Sequence, residues 1–252
     1  MPSQYYNHEP PTGSLTPTLW DGFDVVRATF NPGYGFYRNY DFIGDYILDS
    51  STWEPLDWTP TQATSGSLAT AAGDGGVMLI DTGATTAGQG MQMQHGGSTY
   101  IDFSTHRAVR MEMRCTWAAI TTGPQFFFGL GLTDTSFISG GASPTNSSAD
   151  SVGLVSLSGG TITGTSRVTT GSVTGTATLT GSAATISTTT AQYGMLITPK
   201  GASFWLDGVK ETDQLTSTEI SAVAMRPTLV VQSNGTTQPT LTVDWIAIGL
   251  EK

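Results

Sequence analysis

Cysteine is almost absent. Cys115 stands alone among 252 residues, so no intrachain disulfide framework can staple the fold. Charge is scarce too: Asp, Glu, Lys and Arg make up 12% of the chain. Only 10 Lys and Arg face 20 Asp and Glu, for a net charge of -10. Nucleic-acid binding needs clustered cations against phosphate, so that partner class is excluded. No apolar run approaches the ~20 residues that span a bilayer, and no membrane role is expected. The start, MPSQYYNHEPPTG, lacks the basic region and apolar run of a secretory signal. Synthesis in a cytoplasm is therefore expected, and the sequons at Asn146 and Asn234 carry no weight as glycosylation sites.

Uncharged Ser, Thr, Gly, Asn and Gln supply the polarity instead. Such groups cost less to desolvate than ions, which suits contact with another surface. From about residue 47 onward the chain runs as short apolar stretches broken by Gly, Asn and Asp. The clearest is 108-AVRMEMRCTWAA-119. Val109, Met111, Met113, Cys115 and Trp117 alternate with Arg110, Glu112, Arg114 and Thr116, the period of a strand with one face on a core. The arginine stems suggest that the second face is partly covered as well. The run 125-QFFFGLGLTD-134 reads as a strand buried on both sides, and 151-SVGLVSLSGG-160 follows it. The stretch 193-YGMLITPKGASFWLDGVKE-211 reads as a hairpin turning at Pro199-Lys200-Gly201, with a second tight turn at Asp207-Gly208. Runs at 76–83, 90–95, 227–234 and 240–250 complete the strand set. In the last, Leu241, Val243, Trp245 and Ala247 are expected to share a face.

Helical signals are weak, with one short turn expected near 213–221. The segment 159–190 alternates Thr with Gly, Ser, Ala and Val, carries Arg167 as its one ionisable group, and is expected to form exposed β ribbons at a sheet edge. Many short strands between turn signals mean a β-sandwich or barrel.

Before them lies a different kind of segment. Residues 1–18 are Pro-rich and polar. Residues 19–46 crowd in Trp20, Phe23, Phe30, Tyr34, Phe36, Tyr37, Tyr40 and Phe42 without any clean period. We expect an extended N-terminal arm over 1–46 and a sandwich domain over 47–252. Ordering the arm costs about 1–2 kcal/mol of backbone entropy per residue. Its rings offset that only if nearly all are covered, either on its own sandwich or on a neighbour.

Three stretches carry a resemblance. The hairpin 194-GMLITPKGASFWLDGVKE-211, the strand 107-RAVRMEMRCTW-117 and the closing 241-LTVDWIAIG-249 resemble concanavalin A-like and laminin G-like jelly rolls. The resemblance implies an all-β jelly-roll sandwich. The arm, with 74-DGGVMLIDTGATTAGQGMQMQ-94 and 224-AMRPTLVVQSNGTTQPTLTVDW-245, also looks like virion proteins of tailed bacteriophages. That likeness implies a capsid decoration or cement protein, located on the virion. Its partners would be the major capsid protein and copies of itself, with a homo-oligomer such as a trimer as the assembly.

Candidate chemistry is thin. His8, His95 and His106 lie at no ligand spacing from one another. Asp74, Asp81, Asp134 and Asp150 form no dense carboxylate loop, so neither metal nor cofactor is expected. Glycosidases of this fold need two carboxylates flanking one bond. Glu112 is the one acid on the 108–119 strand and reads as a paired strand residue. No Gly-x-Ser-x-Gly elbow is present. Cys115, Trp117, Trp205 and Trp245 read as core. Gly73-Asp74-Gly75-Gly76 lacks the Lys-Ser/Thr of a phosphate loop. Trp53 and Trp58, in the Pro-broken stretch 52-TWEPLDWTPTQ-62, are the candidate sugar-stacking rings. The expectation is a structural protein that is not an enzyme. A glycan-binding module of a tail fibre or virion surface is the alternative, and a glycan-cleaving enzyme of the same fold comes third.

Overall fold

The computed structural model describes residues 15–31, 33–42, 46–48, 53–55, 57–63, 65–71, 77–96, 101–121, 123–133, 150–157, 160–168 and 173–252. Two short helices come first, α1 (Pro17–Trp20) and α2 (Val25–Phe30). The strands are β1 (Gly35–Tyr40), β2 (Tyr46–Leu48), β3 (Trp53–Pro55), β4 (Trp58–Ala63), β5 (Ser67–Ala71), β6 (Val77–Asp81), β7 (Gly90–His95), β8 (Ala108–Ala118) and β9 (Gln125–Gly131). They continue with β10 (Ser151–Ser156), β11 (Thr163–Val168), β12 (Val173–Thr178), β13 (Ala191–Thr198), β14 (Gly201–Leu206), β15 (Val209–Lys210), β16 (Leu215–Thr216), β17 (Arg226–Gln232) and β18 (Thr240–Glu251).

Two antiparallel sheets face each other. One has nine strands in the order β15-β14-β13-β8-β18-β6-β5, with β1 added beside β18 and β16 beside β14. The other has seven, ordered β12-β11-β10-β9-β17-β7-β4. The core lies between them. From β8 come Val109, Met111, Met113, Cys115 and Trp117, as the alternation predicts. Phe126, Phe128 and Leu130 of β9 meet them from the other sheet. Trp117 and Phe126 touch edge to face, with centroids 5.4 Å apart. The hairpin turns where expected: Asp207 (φ 49°) and Gly208 (φ 81°) both take left-handed backbone, the signature of a two-residue primed turn.

The closing strand departs from simple alternation. Its register against β8 shifts between Val243 and Trp245, a β-bulge at Asp244. Leu241, Val243, Ile246, Ile248 and Leu250 therefore enter the main core. Trp245 and Ala247 turn to the opposite face. One extra residue exchanges the faces of everything after it. The bulge also divides the free edge of β18: residues 240–243 pair with β6 and 246–251 pair with β1.

The N-terminal segment is not an extended arm where it is described. Thr16 precedes α1 with a proline at the first turn, and the Asp24 side chain caps α2 by accepting from the Arg27 N–H at 2.8 Å. β1 then joins the nine-stranded sheet. Leu19, Trp20, Phe23 and Ala28 pack on the outer face of that sheet against Trp205, Trp245 and Ala247, with Tyr34 and Tyr37 alongside. Tyr40 and Phe42 enter the main core, and Phe36 packs against it. Only Phe30 of the eight rings is widely exposed, at 71%. The expected boundary at residue 46 thus cuts through a continuous unit, because covering these rings takes the sheet that β1 extends. Residues 1–14 lie outside the described residues.

The stretch 52–62 also differs from expectation, since Trp53–Pro55 and Trp58–Ala63 are strands. β4 is the edge of its sheet, where Pro60 removes no ladder bond that a second neighbour would need.

Candidate functional site

The outer face of the nine-stranded sheet is closed by the N-terminal segment, and the fit is specific. A Cβ at Gly249 would lie 2.6 Å from Trp20 Cζ3 and 2.9 Å from Phe23 Cζ. A Cβ at Gly194 would lie 2.7 Å from Leu19 Cδ2. Both glycines make room for rings and a leucine of the segment. Glu112 sits beneath it with no exposure. The Thr16 N–H donates to both of its oxygens, at 3.1 and 3.2 Å. Trp20 Nε1 and Gln192 Nε2 each donate at 2.6 Å. Beside it, Arg110 pairs with Glu251, donates through Nε to the Leu19 carbonyl at 3.0 Å, and lies 5.3 Å from the Phe23 ring centre. Arg114 pairs with Asp244 at 3.0 Å. Burial pushes the Tyr37 hydroxyl up to about 12, with the Glu112 charge adding to it. Glu112, which the sequence reads as a paired strand residue, is thus a clamp for the N-terminal segment, surrounded by donors from this chain.

The outer face of the seven-stranded sheet is different. Its strands hold no Asp or Glu among the described residues. Register places side chains in rows across it. One row runs Thr61, Gln92, Val230, Phe127, Val155, Thr163 and Thr178. The next runs Thr59, Gln94, Thr228, Gly129, Gly153, Thr165 and Thr176. A third runs Arg226, Gly131, Ser151, Arg167 and Thr174. Gly129 and Gly153 lie side by side because a Cβ on Gly129 would come within 2.5 Å of the Gly153 Cα.

The middle of this face is closed. Phe127, Val155 and Val230 form a small buried cluster with Ala63 and Leu132 against it. Gln94 Nε2 donates to the Leu132 carbonyl at 2.9 Å. The flank on β11 and β12 is open: Thr174, Thr176 and Thr178 are exposed, and Thr163 and Arg167 are half-buried. Arg167 makes no ion pair among the described residues, and its buried Nε has no hydrogen-bond partner there. The Thr-rich run does lie at a sheet edge, as its composition predicts. Asp150 leads directly into this face. It is buried, and its carboxylate accepts a short hydrogen bond from Ser221 Oγ.

The remaining candidates separate. Trp58 is 4% exposed, between Tyr40 and His95 at centroid distances of 5.8 and 5.4 Å, so it offers no open face for stacking. Trp53 lies on β3, and its side chain is outside the described residues. His95 is buried. Its Nδ1 lies 3.1 Å from the Gly96 carbonyl and its Nε2 lies 2.5 Å from the Tyr40 hydroxyl, an arrangement that suits an imidazole protonated on Nδ1. Burial lowers its pKa, partly opposed by the Asp57 charge. His106 binds the Asp102 backbone in a surface turn. Asp81 accepts from the Gly83 N–H and from Gln238. His8, Asp74 and Asp134 lie outside the described residues. No group of three His, Cys, Asp or Glu side chains fit to hold a metal occurs among the described residues. Sequence reasoning missed the outer-face rows entirely. Their signal was present as the outward half of each period-2 strand, but only register brings Thr61, Gln92 and Thr163 into one line.

No protein-family model matches the chain, and no curated protein matches it. Solved structures do. A glycoside hydrolase family protein from Mycobacterium thermorestibile is 13% identical, covers 84% of this chain and 99% of its own, and superposes with a TM-score of 0.55. An endo-β-1,3-glucanase from Pyrococcus furiosus is 11% identical over 85% of this chain and 94% of its own, with a TM-score of 0.53. A mixed-linkage-glucan GH16 protein from Bacteroides ovatus, solved with a product, is 10% identical over 84% of this chain and 99% of its own, with a TM-score of 0.52. These neighbours correct one expectation. The reading that the chain is not an enzyme is overturned, since the fold it shares is one that glycoside hydrolases use. The capsid-decoration reading gains no support from them. The chain is an antiparallel jelly-roll β-sandwich of the kind found in these glycoside hydrolases.

Proposed function

We propose that this protein acts on glycans, and that it holds a saccharide on the open β11–β12 flank of the outer face of its seven-stranded sheet. The observation that carries the reading is the chemistry of that face. The flank offers the hydroxyls of Thr163, Thr174, Thr176 and Thr178 and the Arg167 guanidinium, and its strands carry no carboxylate among the described residues. Sugar hydroxyls are both donors and acceptors, and such a set can satisfy them without the desolvation cost of a buried charge. The likeness to glucan-active folds supports the same class. The test is equilibrium binding of β-1,3- and mixed-linkage gluco-oligosaccharides to the wild type and to Thr176→Val and Arg167→Gln. Saturable binding, weakened at least tenfold by either change, supports the reading. Binding that both variants leave intact refutes the location, and no binding refutes the function.

Cleavage is the second reading, favoured by the fold. It needs two carboxylates about 5–9.5 Å apart. Asp150, adjacent to Ser151 of the outer face, is the acid to test first. Asp134, at the other end of the β9–β10 connection, lies outside the described residues. Release of reducing ends from β-1,3-glucan that Asp150→Asn abolishes without unfolding the protein would establish it. Turnover unchanged in Asp150→Asn would remove Asp150 from the mechanism.

A further inference from the structure

On the opposite side of the molecule, a cavity of about 480 Å³ is lined by Arg27, Asn31, Gly33, Tyr34, Arg107, Glu251 and Lys252. Three of the chain's ten lysines and arginines therefore meet at one opening, in a protein of net charge -10. They arrive from three separate elements: α2, the turn before β8, and the end of β18. The backbone holds each in place. The Arg27 carbonyl accepts from the Asn31 N–H at 2.8 Å, the Arg107 N–H donates to the Glu251 carbonyl at 2.9 Å, and the Lys252 N–H donates to the Tyr34 carbonyl at 3.1 Å.

The two arginines of this cavity are not balanced by an acid side chain that lines it. Its one acid, Glu251, is paired with Arg110 of the neighbouring strand. Arg27 and Arg107 have no carboxylate partner among the described residues. The Arg27 guanidinium lies over the Tyr34 ring, 4.6 Å from its centre, which occupies one face and leaves its N–H edge for an acceptor. The Asn31 carbonyl oxygen is taken by the Gly33 N–H at 3.0 Å, so its amide nitrogen is the end left to donate.

We infer that this cavity is an oxyanion site that takes the carboxylate, sulfate or phosphate of an acidic saccharide. Guanidinium groups match such anions in a two-pronged geometry, and the volume suits one or two sugar rings. The oxyanion part stands on the two convergent guanidinium groups of Arg27 and Arg107 alone. The saccharide part rests on the glycan reading above, although the site is separate from the seven-stranded face.

The test is a titration of the full chain with glucuronate, glucose 6-phosphate, glucose and inorganic phosphate at low salt, repeated at 0.5 M NaCl. It is repeated again with Arg107→Gln and Arg27→Gln, both at exposed positions. Glucuronate or glucose 6-phosphate should bind saturably, weaken at least tenfold in either variant, and weaken in salt as a screened ionic contact does. Glucose should not compete. The two charged sugars distinguish a carboxylate-bearing from a phosphate-bearing ligand. Binding of inorganic phosphate alone overturns the saccharide assignment. Binding of the charged sugars that both variants leave intact overturns the site. Failure of neutral gluco-oligosaccharides on the seven-stranded face, with charged sugars still bound here, would leave this inference standing and sink the other.

Discussion

Replacing Glu112 with alanine should loosen the N-terminal segment from the sheet. Two buried donors, the Thr16 N–H and Trp20 Nε1–H, lose their acceptor, and Gln192 Nε2 loses one of its own. Each buried donor left unmade costs about 1–3 kcal/mol, so the first two alone give roughly 2–6 kcal/mol. Gln192 is half-buried and can turn to water, so it adds little. The loss is a large part of the ~5–15 kcal/mol that holds a typical domain together. At about 2–4 °C per kcal/mol for a chain of this size, the melting temperature should fall by roughly 5–20 °C. Glu112→Gln keeps one acceptor oxygen and should cost less, about 1–2 kcal/mol. Thermal melting followed by circular dichroism measures the fall, and limited proteolysis shows whether cleavage begins within residues 15–31. Adding Trp20→Phe to Glu112→Ala should cost less than the sum of the two single changes, because the orphaned indole N–H goes with it. Glu112→Ala melting within about 1 °C of the wild type would refute the clamp.

Gly249→Val should drive a branched side chain into Trp20 and Phe23, costing at least about 1–3 kcal/mol and exposing the same segment to protease; an unchanged denaturation midpoint would contradict the fit. Trp58→Ala should cost about 3–5 kcal/mol by chemical denaturation, because it opens a cavity beside Tyr40 and His95, while glycan binding by Trp58→Phe stays within twofold of wild type. His95 has a folded pKa below its ordinary 6.5, so its neutral form is favoured in the native state. Its contribution is present above pH 6.5 and is lost as pH falls through the lower folded value. Unfolding free energy should drop between pH 7.5 and 5.5, and His95→Gln should flatten that slope. Burial raises the Cys115 thiol, so a thiol reagent at pH 8 should leave it unmodified in the native protein and label it after denaturation.

Much of the sandwich was legible because period-2 alternation survives in long strands. Val109 to Trp117 pointed inward as read, and the Asp207-Gly208 turn fell where the dipeptide placed it. The reading failed where one residue changes the count. Nothing in 241-LTVDWIAIG-249 marks the bulge at Asp244, which is fixed by β18 giving one edge first to β6 and then to β1. The aromatic segment misled for a related reason. Its rings follow no period because they serve two surfaces, Trp20 and Phe23 on the outer face and Tyr40 and Phe42 in the core. Glu112 was legible as a strand residue paired with something. Its donors come from residues 16, 20 and 192, which no local pattern connects. The outer-face rows likewise depend on register across seven strands, which a sequence does not carry one strand at a time.

The most direct test of the glycan reading is to map amide chemical shifts of the uniformly labelled protein during titration with β-1,3-gluco-oligosaccharides. The account predicts saturable shifts concentrated on Thr163, Arg167, Thr174, Thr176 and Thr178, the open flank of the face. Saturable shifts confined to some other surface, or no shifts at millimolar sugar, would contradict it.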